Sequence, residues 1–291
     1  MNKMKHDYEL GVMVVLPARD QNIVKDIQGM STNIKGVLVR DFWSNIEPAQ
    51  GQELDFSYLD LGVGTCARTN RFAMLSVNCG NKSPAWLPRQ WEDRQPYPWD
   101  PNALSAVLKL IASLGARYDS NPAILGVTVW VGGKTMECFF ADPETEHKFI
   151  ALGGPDVWLA SAQTMLSAWR QAFPTTQLFL ATGAVCPDGG VTMTTLAKQA
   201  LSLGIGLQSN ALSQAFPAPP HFAHTAIPLS KVPTLGYQLV RPVSNMGGAT
   251  LRAVLVNGVY NNAQWVQIYP GDETGDPAQD AIKAFNDGTL K

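Results

Sequence analysis

The sequence is poor in the residues that usually announce a chemistry. Its 291 residues include four cysteines and four histidines, and its formal charge is −2. Cys66, Cys79, Cys138 and Cys186 lie far apart and form no CxxC pair, which excludes zinc-knuckle and thioredoxin-type sites and leaves small buried hydrophobes as the simple reading. His221 and His224 stand three apart in a proline-rich loop with no carboxylate near them, a poor metal site. No Ser-His-Asp set can be assembled from the scattered histidines, and neither a metal nor an organic cofactor is expected. The near-neutral balance gives no reason for a nucleic-acid partner or a polybasic membrane contact. No run of about 18 apolar residues occurs, so no transmembrane helix is expected. Met1-Asn2-Lys3-Met4-Lys5 is basic like the start of a signal peptide. The Gly11–Leu16 run that follows is too short and too β-branched for the apolar core of one, and no small-residue cleavage site comes after it. The chain reads as cytoplasmic, or as secreted or periplasmic with its signal already removed. The sequence leaves the oligomeric state open.

Two glycine-rich stretches imitate nucleotide motifs and fail. Gly132-Gly133-Lys134-Thr135 resembles the end of a phosphate-binding loop, but the upstream glycine that motif needs is Thr128. Gly62-Val63-Gly64-Thr65-Cys66-Ala67 falls within a helical pattern rather than after a strand, so it is no dinucleotide fingerprint.

What is present is a rhythm. Short β-branched apolar runs recur at Gly11–Leu16, Gly36–Arg40, Ala73–Asn78, Leu125–Val131, Gln177–Ala181, Ile205–Gln208, Thr234–Leu239 and Trp265–Tyr269. Continuous runs of this kind suit strands covered on both faces. Helical stripes lie between them: Leu104, Val107, Leu108, Ile111 and Leu114; then Trp158, Leu159, Ala162, Met165, Leu166 and Trp169; then Leu196, Ala200 and Leu203. Leu251, Val254, Leu255 and Val259 follow, and Ala281, Ile282 and Phe285 close the chain. Alternating strands and helices imply parallel strands joined by right-handed crossovers. Eight such units predict a single α/β domain over residues 1–291, a closed (β/α)8 TIM barrel. Barrel active sites form at the C-terminal ends of the strands. Two long loops fall there: Asn81–Pro101, rich in Pro and Trp, and Ala215–Pro233, with five prolines.

The stretch Arg40-Asp41-Phe42-Trp43-Ser44-Asn45-Ile46-Glu47-Pro48, then Gly51 and Asp55-Phe56-Ser57-Tyr58-Leu59-Asp60, resembles clan A of the glycoside hydrolases, most closely the family 42 β-galactosidases and similar barrels. Ala73–Asn78 and Pro84-Ala85-Trp86-Leu87 fit the strand-three pattern of those enzymes. The resemblance covers roughly a sixth of the chain. It implies that Glu47 is structural and that Arg40 hydrogen-bonds the catalytic nucleophile. A second stretch, Tyr118-Asp119-Ser120-Asn121-Pro122 through strand four to Glu137, matches the approach to the clan's acid/base glutamate. Many members carry Asn before that glutamate, whereas this chain has Met136. Glu137 stands among Met136, Cys138, Phe139 and Phe140, where loss of solvent would raise its pKa as a general acid requires.

The same resemblance places a nucleophilic glutamate at the end of strand seven, and there the chain has Gln238. An amide neither titrates nor attacks an anomeric carbon. Three accounts compete: a substitution that traps substrate, a natural loss of catalysis that leaves a sugar-binding barrel, or a nucleophile elsewhere, at Asp272 or Glu273. Asn78, Gln208, Asn210 and Tyr269 end strands and could bind sugar hydroxyls. Trp43, Trp86 and Trp130 could stack on a sugar's C–H face. The expectation is a retaining glycosidase scaffold for a poly- or oligosaccharide, working by double displacement and inactive as written. The alternative is a naturally non-catalytic carbohydrate-binding barrel.

Overall fold

The computed structural model describes residues 11–88, 96–135, 150–151, 153–185, 188–216 and 220–291. Eight parallel strands close into a barrel in sequence order, with the last paired to the first. They are β1 (Gly11–Val15), β2 (Gly36–Phe42), β3 (Phe72–Asn78), β4 (Ile124–Val129), β5 (Leu178–Thr182), β6 (Gly206–Leu212), β7 (Leu235–Leu239) and β8 (Trp265–Ile268). Every apolar run read from the sequence overlaps one of these strands, and β2 and β6 run two and four residues further than read, to Phe42 and Leu212. The helices between them include α1 (Ile23–Gly29), α2 (Trp43–Ile46), α3 (Ser57–Arg68), α4 (Pro101–Tyr118), α5 (Gly154–Ala172), α6 (Val191–Ser202), α7 (Leu251–Tyr260) and α8 (Asp276–Asn286).

Helix starts follow local chemistry. The Asp100 carboxylate accepts the backbone N–H groups of Asn102 and Ala103, and Pro101 opens α4 with its φ already set. Thr250 does the same for α7, its hydroxyl accepting from Ala253 N. In α4 the stripe at Val107, Ile111 and Leu114 is buried, with Leu110 and Tyr118 beside it. Each fully buried aliphatic side chain of this kind stabilises the fold by about 1.5–3 kcal/mol. Val259, read as part of the α7 stripe, instead faces solvent in the last turn.

The barrel interior is layered. Met13, Val15, Leu38, Met74, Phe179 and Trp265 form an apolar plug. Phe179 on β5 and Trp265 on β8 meet edge to face at 5.1 Å, and since those strands are not neighbours in the sheet, the contact crosses the lumen. Glycines make room for these rings. A Cβ at Gly236 would lie 1.8 Å from the Trp265 indole, and one at Gly126 would lie 2.8 Å from Phe179. A polar layer lies toward the C-terminal ends, where Thr128 on β4 bonds Gln208 on β6 across the interior at 3.0 Å.

Candidate functional site

The C-terminal mouth of the barrel holds a cavity of about 250 Å³. Its wall is built by alternation along the strands. Side chains two apart share a face, so Leu38 and Arg40 come from β2, Ser76 and Asn78 from β3, and Gln208 and Asn210 from β6. Thr128 on β4, Thr135 just beyond it and Gln238 on β7 complete the lining.

The fold thus gathers Arg40, Asn78, Gln208, Asn210 and Gln238 into one cavity, all five marked in the sequence. Tyr269 joins through a hydrogen bond, its hydroxyl accepting Gln238 Nε2 at 3.0 Å. Glu137 lies outside the described residues, so its separation from Gln238 is not part of this geometry. Ser76, Thr128 and Thr135 were not anticipated. Two of them were accessible to reasoning: Ser76 stands two before Asn78, and Ser76 pairs in register with Thr128.

Hydrogen bonds order the wall. Thr128 donates to Gln208 Oε1, and Gln208 Nε2 donates to Asn210 Oδ1 at 2.6 Å. Ser76 donates to Asn78 Oδ1 at 3.2 Å. Arg40 donates from Nε and Nη2 to the Leu16 carbonyl, at 3.0 and 2.9 Å, which fixes its guanidinium against the end of β1.

Two of the three tryptophans do not fit the stacking role. Trp43 is 1% exposed and Trp130 is 3% exposed, so neither offers a ring face to a ligand. Trp43 donates to Glu47 Oε2 at 3.2 Å, and Trp130 donates to the Gly133 carbonyl at 2.8 Å. Each tryptophan's N–H thus secures the loop beyond its own strand. Trp86 is half-buried, packs edge to face on Trp43 and donates to the Glu47 carbonyl at 3.0 Å. It lines a separate hollow with Gln50 and Asn102. Glu47 itself is buried between these two indoles, as a structural residue would be.

The stretch around it is a scaffold. Asp41, its side chain fully buried, takes Arg19 Nε on both oxygens at 3.1 Å. It also accepts from Phe42 N at 2.7 Å and Asn45 Nδ2 at 3.0 Å. The second motif locks the opposite rim. Asp119 accepts from the backbone of Thr175 and Thr176. Tyr118 donates to Asp60, which Arg117 also holds. The Arg117 guanidinium keeps the Asp60 carboxyl below its ordinary pKa.

The alternative nucleophiles stand away from the cavity. Asp272 accepts the backbone N–H groups of Val243 and Tyr269, at 2.8 and 3.0 Å, and burial raises its pKa. Glu273 accepts from Gly271 N. The two histidines have a carboxylate near them after all. Asp188 lines the same hollow as His221 and His224, brought there by the loop after β5. Its oxygens already accept Gly190 N and Thr192 N, and burial lowers the His224 pKa. Among the described residues no group of three His, Cys, Asp or Glu is placed to hold a metal. No helix among them is long and apolar enough to cross a membrane.

No protein-family model matches the sequence. No curated protein matches it either. Solved structures do match in fold. The catalytic domain of a β-amylase from Paenibacillus polymyxa superposes with a TM-score of 0.69 at 11% identity, over 97% of this chain and 99% of that one. A β-galactosidase from Bacillus circulans sp. alkalophilus gives 0.64 at 12% identity, over 96% of this chain and 55% of its own. A thermostable mutant of a xylanase from Cellvibrio japonicus gives 0.54 at 11% identity, over 97% and 98%. The chain has the barrel fold that these glycosidases share.

Proposed function

We propose that the barrel mouth binds carbohydrate, and that the chain is a glycoside-hydrolase-type scaffold for a poly- or oligosaccharide that lacks its own nucleophile. The observation that carries this reading is the mouth cavity itself, walled by amides and hydroxyls with Gln238 at the end of β7. Sugar hydroxyls both donate and accept, as do amides and serine or threonine hydroxyls, so such a wall can satisfy a polyol that leaves water. At about 250 Å³ the space is near the small end of ligand pockets, ~300–1,000 Å³, and suits a single sugar unit.

In the competent form of this scaffold, Glu137 protonates the glycosidic oxygen while a carboxylate at position 238 attacks the anomeric carbon. Water then releases the glycosyl-enzyme with Glu137 as base, so configuration is retained. With Gln238 the attack cannot occur. Arg40 lines the same cavity from β2, but its guanidinium bonds the Leu16 carbonyl and not the 238 side chain, so it is assigned to the sugar rather than to residue 238.

A second reading is favoured by one contact. The Gln238 amide donates to the Tyr269 hydroxyl, a bond that a carboxylate could not make in that direction. The amide is therefore well accommodated, as it would be in a naturally non-catalytic sugar-binding barrel. Affinity and turnover of a glycan panel, measured with this chain and with Gln238→Glu, test both readings. Binding by both forms with turnover only after the substitution supports the scaffold reading. Tight binding with no turnover by either supports the binding protein. No binding of any glycan removes both.

A further inference from the structure

Outside the mouth, one buried charge is short of partners. Glu47 is 3% exposed, and among the described residues its carboxylate takes a single donor, Trp43 Nε1, on Oε2. A carboxylate has room for about four donors, and burying it with one is costly. Oε1 takes none, and it is not among the sealed, unpartnered polar atoms of the interior, so it opens to solvent. The structural role of Glu47 thus accounts for one of its oxygens only.

Glu47 lines a hollow of about 540 Å³, a volume within the ~300–1,000 Å³ of ligand pockets. The hollow lies at the same end of the barrel as the mouth. Glu47 and Gln50 come from the loop after β2, Trp86 from the loop after β3, and Asn102, Ser105 and Lys109 from α4. The half-buried Trp86 indole is held by Trp43 and by its bond to the Glu47 carbonyl, so the ring is fixed before anything binds. The side chains of Gln50, Asn102, Ser105 and Lys109 are exposed and make no hydrogen bond among the described residues. The wall combines a fixed indole, an acceptor that lacks donors, and amide, hydroxyl and ammonium groups able to serve hydroxyl oxygens. Vicinal sugar hydroxyls can donate to a carboxylate while the sugar's C–H face packs on an indole. A cationic ligand would also suit the carboxylate, but Lys109 in the same wall opposes it.

We propose that this hollow is a second carbohydrate site, separate from the mouth, where a neutral oligosaccharide packs on Trp86 and donates to Glu47. It uses no catalytic group and does not depend on the chemistry assigned to the mouth.

The probes are short cello-, xylo-, malto- and galacto-oligosaccharides, titrated into the full chain with its tryptophan indole nitrogens isotope-labelled for NMR. The Trp86 Nε1–H signal, assigned by its absence in Trp86→Phe, should move saturably with at least one of them. Glu47→Gln keeps the shape, and its loss of charge should weaken that binding about tenfold, the scale of a charge-assisted hydrogen bond. Gln50→Ala combined with Asn102→Ala changes two exposed side chains and should weaken it about as much, which keeps the test open should Glu47→Gln fail to fold. Gln238→Met, in the mouth, should leave it unchanged. Binding that is lost with Gln238→Met and ignores the hollow variants overturns the proposal, because the sugar then sits in the mouth. A Trp86 signal that no sugar moves at millimolar concentration also overturns it and leaves the hollow to water. So does a signal moved by tetramethylammonium and by no sugar. Binding at the hollow with none at the mouth supports this proposal and removes both readings of the mouth.

Discussion

The two sides of the barrel mouth are built to different ends. On the β2 side, charges and ring donors are spent on the protein: Asp41 holds Arg19, Phe42 N and Asn45, and Glu47 sits between the indoles of Trp43 and Trp86. On the β6 to β8 side, neutral amides line the cavity in two separate sets, Gln208 with Asn210 and Gln238 with Tyr269. The lesson is that the stretch most recognisable in the sequence carries the architecture, because many bonds must be kept at once to hold a loop. The side facing the cavity depends on single residues, and under the proposed function one nitrogen-for-oxygen exchange at position 238 would decide whether the site can attack.

The largest expected effect sharpens that contrast. Gln238→Glu should raise hydrolysis of the best-bound glycan by about a thousandfold, by comparison with nucleophile knockouts elsewhere. Stability should move by less than about 1 kcal/mol, because the Tyr269 hydroxyl can turn and donate to the new carboxylate. Turnover and chemical denaturation of the same samples check both halves. A variant that gains no activity yet binds normally would mean position 238 is no nucleophile site.

The β2 side should answer in the opposite currency. Asp41→Ala removes the buried anion that three partners share, and the loss should be about 3 kcal/mol of unfolding free energy. Glycan affinity measured well below the melting temperature should change little. A smaller pair isolates single bonds. Trp86→Phe gives up the Nε1 bond to the Glu47 carbonyl and should cost about 1 kcal/mol of stability without touching glycan affinity at the mouth. Tyr269→Phe should cost about the same in stability but also weaken glycan binding, since Gln238 loses its anchor. Equal effects of both on affinity would erase the distinction between the two sides.

How much of this the sequence carried follows from the same physics. All eight strands were legible because a parallel barrel strand is covered on both faces, so a run such as Val12–Val15 has no polar interruption to obscure it. Arg40, Asn78, Gln208 and Asn210 were found because polar residues at the ends of apolar runs are conspicuous. Ser76 and Thr128 were missed because small hydroxyls inside such runs look like strand formers. Trp43 and Trp130 were misread because a tryptophan's position in sequence does not tell which side of the strand end it packs on. Here both rings turn into the protein, and their N–H groups close loops. Asp188 came to the His221 and His224 hollow from a separate loop, a proximity no local pattern encodes.

The finest test sets the N-terminal rim against the mouth by pH. Asp60 has its pKa held down, first by the Arg117 hydrogen bond, so between its folded value and the ordinary ~3.9 the unfolded chain binds the extra proton. Its contribution is complete above that ordinary value and fades as pH falls through the folded one. Asp272 is raised by burial, so the sign reverses. The folded chain holds its proton to higher pH, and that contribution is present below the ordinary value and is lost as pH rises through the raised one. Unfolding free energies of the parent, Asp60→Asn and Asp272→Asn across pH 3 to 7 should therefore diverge in opposite directions. The parent's advantage over Asp60→Asn should shrink toward acid, by the fraction of a kcal/mol, ~0.2–1, typical of an exposed pair. Its advantage over Asp272→Asn should grow toward acid. Two gaps that move in the same direction would show that burial at the β8 loop does not govern Asp272, and that the mouth and the rim do not differ in this way.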